Sequence, residues 1–125
     1  MVGIAKNKRN NDTRAYSRGQ IRLPEAIDAL NRATDLAPDI SRYAYVYGIA
    51  LNSTGQVSEA RQVFGAAQAK FPENIDILYA LVTIHRDQGD IVGALGYAKR
   101  LATLRPDQEY FQRLVNELQV QQRPQ

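Results

Sequence analysis

The sequence predicts an all-α protein built by stacking helical hairpins, and three spacings carry the prediction. Prolines recur at Pro38, Pro72 and Pro106, 34 residues apart each time. Gly55 and Gly89 keep the same interval, as do Ala26, Ala60 and Ala94. One period shared by three residue types is the signature of a stacked repeat, in which each unit is one supersecondary element.

The elements follow in chain order. Residues 23–36 read as a helix that starts with Pro24 in its first turn, where a missing N–H costs nothing. Ala26, Leu30 and Ala33 keep the repeat's phase up to Pro38. Residues 42–54 form the next helix, and Gly55 ends it as a residue free to adopt positive φ. A second helix over 57–70 places Ala60, Val63, Phe64 and Ala67 at three- and four-residue spacing, with Phe71 following. Pro72 then bars continuation. The pattern repeats with a helix over 75–88, Gly89, a helix over 91–104 and Pro106. The connectors are so short that consecutive helices must fold back as tight antiparallel hairpins. A last helix over 108–121 groups Tyr110, Phe111, Leu114, Val115 and Leu118 on one face, with Gln112, Glu117, Gln119 and Gln121 on the wet side. It reads as a solvating cap, which repeat stacks require at their ends.

The expected organisation is a basic leader at 1–20, a half repeat at 21–40, full repeats at 41–74 and 75–108, the cap at 108–121 and a frayed tail at 122–125. The half repeat lacks a convincing first helix. Residues 7–20 have almost no apolar stripe, and only Ala15-Tyr16 and Gly19 resemble the end of one. Ile27 and Leu30 are therefore expected to present an uncovered face. Such a strip marks a contact, either with a second molecule, giving a homodimer, or with preceding repeats of a longer protein.

Composition narrows the function. Of 125 residues, 44% are apolar and 23% charged, as in an ordinary globular chain. No apolar run approaches the roughly 18 residues of a membrane span. No signal-peptide pattern opens the sequence, so a cytoplasmic location is expected. The absence of cysteine excludes disulfides and thiolate chemistry. The net charge of +3 is local: residues 1–20 hold Lys6, Lys8, Arg9, Arg14 and Arg18 against Asp12 alone, whereas the rest of the chain holds 11 basic and 12 acidic residues. Few aromatics interleave those charges, which disfavours nucleic-acid binding as the chain's role.

No catalytic set emerges. His85-Arg86-Asp87 echoes the protein-kinase catalytic loop, but the Asn required five residues after the Asp is Val92. The single histidine has no companions for a metal site, and Asp87 and Asp90 suit turn and cap chemistry. Asn52-Ser53-Thr54 and Asn11-Asp12-Thr13 match the glycosylation tripeptide, a short and common pattern. No enzyme activity, cofactor, metal or small-molecule substrate is expected.

The pattern as a whole resembles the tetratricopeptide repeat. The best copy, 41–74, carries Tyr47-Gly48, Leu51, Gly55, Ala60, Phe64, Ala67 and Pro72 at that family's positions. The second, 75–108, departs from it with Val82 for a small residue, Ala98 for an aromatic and Leu101 for Ala. The resemblance implies a right-handed solenoid whose first helices line a concave face. Arg42, Tyr45, Val46, Ile49, Asn52 and Ser53 would then face the groove from one repeat, and Asp76, Tyr79, Ala80, Thr83, Arg86 and Asp87 from the next. Tyr45 and Tyr79 would stack there. The Lys-Asn-Arg clamp with which some members hold acidic chaperone tails is missing, since those positions read Tyr45, Ile49 and Ala80. The expected function is a scaffold holding a protein or peptide segment in this groove. Self-association, a repeat piece of a larger protein, and a basic-tail nucleic-acid binder are the alternatives.

Small residues should mark where the two helices of a hairpin meet. Ala60→Leu is therefore expected to cost roughly 1–3 kcal/mol by overpacking. An unchanged midpoint in urea denaturation would contradict that placement.

Overall fold

The computed structural model describes residues 23–123. The basic leader expected at 1–20 and the last two residues of the tail lie outside the described residues. Six helices follow one another: α1 (Leu23–Leu36), α2 (Ser41–Ser53), α3 (Val57–Lys70), α4 (Ile75–Asp87), α5 (Ile91–Leu104) and α6 (Glu109–Gln122). Each packs on its neighbours in sequence, and α2 also touches α4. The architecture is an all-α stack of helical hairpins, with α2–α3 and α4–α5 as the full units.

Two kinds of turn set the geometry. After α2, the amide of Gln56 donates to the Leu51 carbonyl (2.9 Å) and that of Gly55 to Asn52 (3.1 Å). After α4, Asp90 donates to His85 (2.8 Å) and Gly89 to Arg86 (2.9 Å). These paired bonds form the Schellman closure, which needs a residue of positive φ. Gly55 (φ 84°) and Gly89 (φ 83°) supply it. The other turn follows α1, α3 and α5. There the amides of Ala37, Phe71 and Arg105 close on the preceding helix, and those of Ile40, Asn74 and Gln108 bond back to Ala37, Phe71 and Arg105. The prolines at 38, 72 and 106 sit inside these bends.

The interior divides into two clusters that meet at α4. Ile77, Ala80, Leu81 and Ile84 join Ala44, Leu51, Ala60, Phe64 and Ala67 in the first. Leu78 and Val82 join Ala94, Leu95, Ala98, Leu101, Leu114, Val115 and Leu118 in the second. The central helix is thus buried on two sides. Asn74 fastens it at its start: its side-chain oxygen accepts from the Ile77 amide (3.0 Å), and its amide group donates to Ser41 Oγ of the preceding unit (3.2 Å).

The two hairpins solve the same packing problem in opposite ways. In the first, Gly48 lies under the ring of Phe64, and a Cβ at 48 would stand only 2.5 Å from that ring. Phe64 is fully buried there. One period later the same register holds Val82 and Ala98, both fully buried. The large side chain has moved from the second helix to the first. The departures noted in the sequence are thus a volume exchange across the hairpin.

Two expectations need correction. Ile27 does not present an uncovered face: it is half-buried and packs against the first core cluster. The reason is geometric, since α1 lies on α2. Leu30 is also half-buried. Phe71, unlike Phe64, is only half-buried, because it caps α3 rather than lying within it.

Gly48→Val is expected to destabilise by roughly 1–3 kcal/mol, and Phe64→Ala by about 3–5 kcal/mol. The double variant, which recreates the Val82/Ala98 arrangement, should cost less than the sum by about 1 kcal/mol or more. Additive costs in urea unfolding would show that the two sites do not share one volume.

Candidate functional site

The first helices of the full units, α2 and α4, run side by side and enclose a shallow recess of about 180 Å³. Its walls are Tyr45, Ile49 and Asn52 from α2, Tyr79, Ala80, Thr83 and Ile84 from α4, and Phe64 from below. The spacing explains the gathering. Positions 45, 49 and 52 lie on one face of a helix of 3.6 residues per turn, as do 79, 80 and 83. Residues expected for the groove thus meet here in part: Tyr45, Ile49, Asn52, Tyr79, Ala80 and Thr83 surround one hollow.

The others lie apart from it. Arg42 is exposed in the first turn of α2, and Val46 is half-buried. Arg86 and Asp87 stand at the far end of α4, where Arg86 Nε lies 4.0 Å from Asp87 Oδ1. Ser53 and Asp76 are exposed.

The two tyrosines do not stack on each other. The Tyr45 ring tilts against Phe64 at 6.3 Å between centroids. The Tyr79 ring tilts against Tyr110 at 6.1 Å, and their hydroxyls are 2.6 Å apart. That bond, then burial, pushes the Tyr110 phenol up from its ordinary range. Tyr110 therefore pairs with Tyr79, one of the residues lining the recess, rather than packing in the apolar face of the cap, where the sequence pattern places it. Leu114, Val115 and Leu118 form that face. The clue was available in the register, because 110 lies one period after Asp76, a position the repeat resemblance assigns to the first-helix face.

Polar character is sparse. Thr83 Oγ1 donates to the Tyr79 carbonyl (3.1 Å), which leaves its oxygen able to accept. Ile49 is 39% exposed and gives the rim a free apolar surface. The recess is therefore largely apolar, with Asn52 and Thr83 as polar groups in its wall.

His85 belongs to a different arrangement, on the other side of α4. Its Nδ1 lies 2.8 Å from Asp90 Oδ2, and its ring leans on Tyr97 at 5.3 Å. Asp90 Oδ1 accepts from the Gly93 amide (2.9 Å) and so caps α5. The carboxylate ties the end of one helix to the start of the next. Gly93 is the residue that fits, since a Cβ there would meet Asp90 Oδ2 at 2.5 Å and His85 Nδ1 at 2.8 Å. Among the described residues no cluster of three or more His, Cys, Asp or Glu could hold a metal ion. No described helix is long and apolar enough to cross a membrane.

Fold and site together define a helical-hairpin repeat module with a groove along its first helices. The family model for the tetratricopeptide repeat matches residues 51–118, and a second model of that description matches 15–75. The chain belongs to the tetratricopeptide repeat family. That family is generally a non-enzymatic interaction scaffold, and the chain is a protein–protein interaction module. Similar solved structures include Naa15/Naa10 bound to HypK-THB, at 19% identity and a TM-score of 0.67. The match covers 91% of this chain but 17% of that one, so this chain spans a small part of that relative's length. PcrH in complex with the chaperone binding region of PopD matches at 17% identity and a TM-score of 0.64, over 97% of this chain and 93% of that one. None of the curated proteins matches the sequence.

The hydrogen bond from His85, then that from the Gly93 amide, holds the Asp90 carboxyl below the usual carboxylate range. The folded state thus favours the ionised form. Its contribution is complete above the unfolded Asp range, near about pH 4, and disappears as pH falls through the lower folded value. Asp90→Asn should make the acid limb of the thermal melting profile shallower below about pH 4. Parallel limbs for both proteins would remove Asp90 from the acid response.

Proposed function

We propose that the chain holds a segment of a partner protein in the concave groove, with the recess between α2 and α4 taking one apolar side chain. The observation that carries the reading is the recess itself: Tyr45, Ile49, Asn52, Tyr79 and Thr83 converge on about 180 Å³ of open volume. That is the size of a single large aliphatic or aromatic side chain. Tyr is among the residue types that anchor interfaces, and a shallow apolar hollow with a few polar groups is how grooves of this kind fix a peptide. The PcrH structure, whose published description names a bound region of PopD, is consistent with the reading. Self-association through α1 has less support, since Ile27 is already engaged with the core.

The test must avoid residues that hold the fold. Tyr45 leans on buried Phe64, so its truncation would confound binding with stability. Ile49→Arg fills the recess from its exposed rim instead, and Thr83→Arg from its half-buried wall. Wild type and each variant, matched by circular dichroism, serve as baits in native lysate with mass-spectrometric readout. A partner retained by wild type is expected to drop at least about tenfold with either variant, which corresponds to about 1.4 kcal/mol. Equal recovery with all three baits would reject the groove as the binding site.

A further inference from the structure

The second helices α3 and α5 leave a furrow between them. One end holds an open hollow of about 390 Å³, lined by Arg61 and Gly65 of α3, Tyr97 of α5, and Leu81 and His85 of α4. A second hollow of about 340 Å³ lies further along α5, at Lys99, Thr103 and Leu104. The Arg100 guanidinium spans the furrow, donating to the Gln68 side-chain oxygen (2.7 and 2.9 Å) and to the Pro72 carbonyl (3.3 Å).

Three features of the furrow point to a ligand. The first is an unused acceptor. The Asp90 carboxyl favours its ionised form, which can only accept, so Nδ1 of His85 carries the hydrogen in their bond. Nε2 is left as an acceptor without a hydrogen-bond partner among the described residues, although the side chain is only 12% exposed. The second is unbalanced positive charge. Arg61 donates to the neutral Gln88 oxygen (3.0 Å), and neither Arg61 nor Lys99 has an ion pair among the described residues. Glu73 is the one carboxylate on the lining of either hollow. Helix α5 contains no acidic residue, and Glu59, the one acid of α3, acts on Tyr47 instead. The third is Gly65. Glycine weakens a helix interior, yet a Cβ at 65 would meet nothing within 4 Å. Packing within the chain gives no reason for it, whereas a backbone laid into the hollow does.

We propose that the furrow between α3 and α5 binds an extended acidic segment of a partner protein. A backbone N–H of the segment donates to His85 Nε2 beside Gly65, and Asp or Glu side chains reach Arg61 and Lys99. Each cation lines its own hollow, which suits successive carboxylates rather than one phosphate gripped by both. The furrow belongs to the second helices and is separate from the recess between α2 and α4.

His85 is the chain's single histidine, so its imidazole proton signals report this site in an NMR titration. The probe is an acetylated, amidated hexaglutamate peptide at fixed pH, with hexaglutamine as its neutral counterpart. Hexaglutamate is expected to move the His85 signals saturably, and hexaglutamine to leave them in place. Hexaglutamate that binds without moving them is held elsewhere and overturns the proposal. Two variants, each shown by circular dichroism to be folded, separate charge from shape. Arg61→Gln/Lys99→Gln changes two exposed side chains, and Gly65→Leu fills the hollow without altering charge. Each is expected to weaken hexaglutamate binding at least about fivefold. Wild-type affinity in the charge variant overturns the proposal. Loss in the charge variant alone, with Gly65→Leu unaffected, reduces the effect to long-range attraction and also rejects the furrow. Inorganic phosphate that moves the signals while hexaglutamate does not assigns a small-anion site and rejects docking of a segment.

Discussion

The central helix α4 is the constraint on which the rest depends. It is the only described helix with buried residues in both core clusters: Ile77, Ala80, Leu81 and Ile84 face one way, and Leu78 and Val82 the other. A helix buried on two sides cannot be amphipathic in the usual single-stripe sense. It must instead match two neighbours at once. Its ends are fixed accordingly, by the Asn74 cap that reaches back to Ser41 and by the Gly89 closure that leads into the His85–Asp90 bond. Those attachments set the angle between the units, and the angle sets the groove. Tyr79, Ala80 and Thr83 line the recess because the same helix must bury Ile77, Leu78, Leu81 and Val82 behind them.

The fold was largely legible because its signals are local. A positive-φ glycine and a proline act on the chain within a few residues, so Gly55, Gly89, Pro38, Pro72 and Pro106 mark the turns without knowledge of tertiary contacts. The helix limits at 57–70 and 91–104 follow from them. What could not be read locally was the identity of each side chain's partner. Val82 and Ala98 looked like defects in a repeat consensus, since each position was judged alone. Seen across the hairpin against Gly48 and Phe64, they conserve volume, which cores tolerate far better than a net change.

The candidate groove was legible to a smaller degree for the same reason. Its first-helix positions follow from helical periodicity, so Tyr45, Ile49, Asn52, Tyr79 and Thr83 could be named together. Their contacts could not. The expected pairing of Tyr45 with Tyr79 assumed that equivalent positions in adjacent units touch, whereas each ring finds a different neighbour, Phe64 below and Tyr110 beyond. Ile27 failed similarly. A helix with no visible hairpin partner in the sequence reads as bare on that face, but packing on α2 already engages Ile27.

The tyrosine pair also limits what the groove can be. Tyr79 and Tyr110 join hydroxyl to hydroxyl where α4 meets α6, and α6 is the helix that covers the second core with Leu114, Val115 and Leu118. One helix therefore both seals the hydrophobic interior and holds a tyrosine that lines the recess. The recess itself is lined by α2 and α4, with Phe64 below. At about 180 Å³ that recess has room for one large side chain rather than for a long run of equivalent sites.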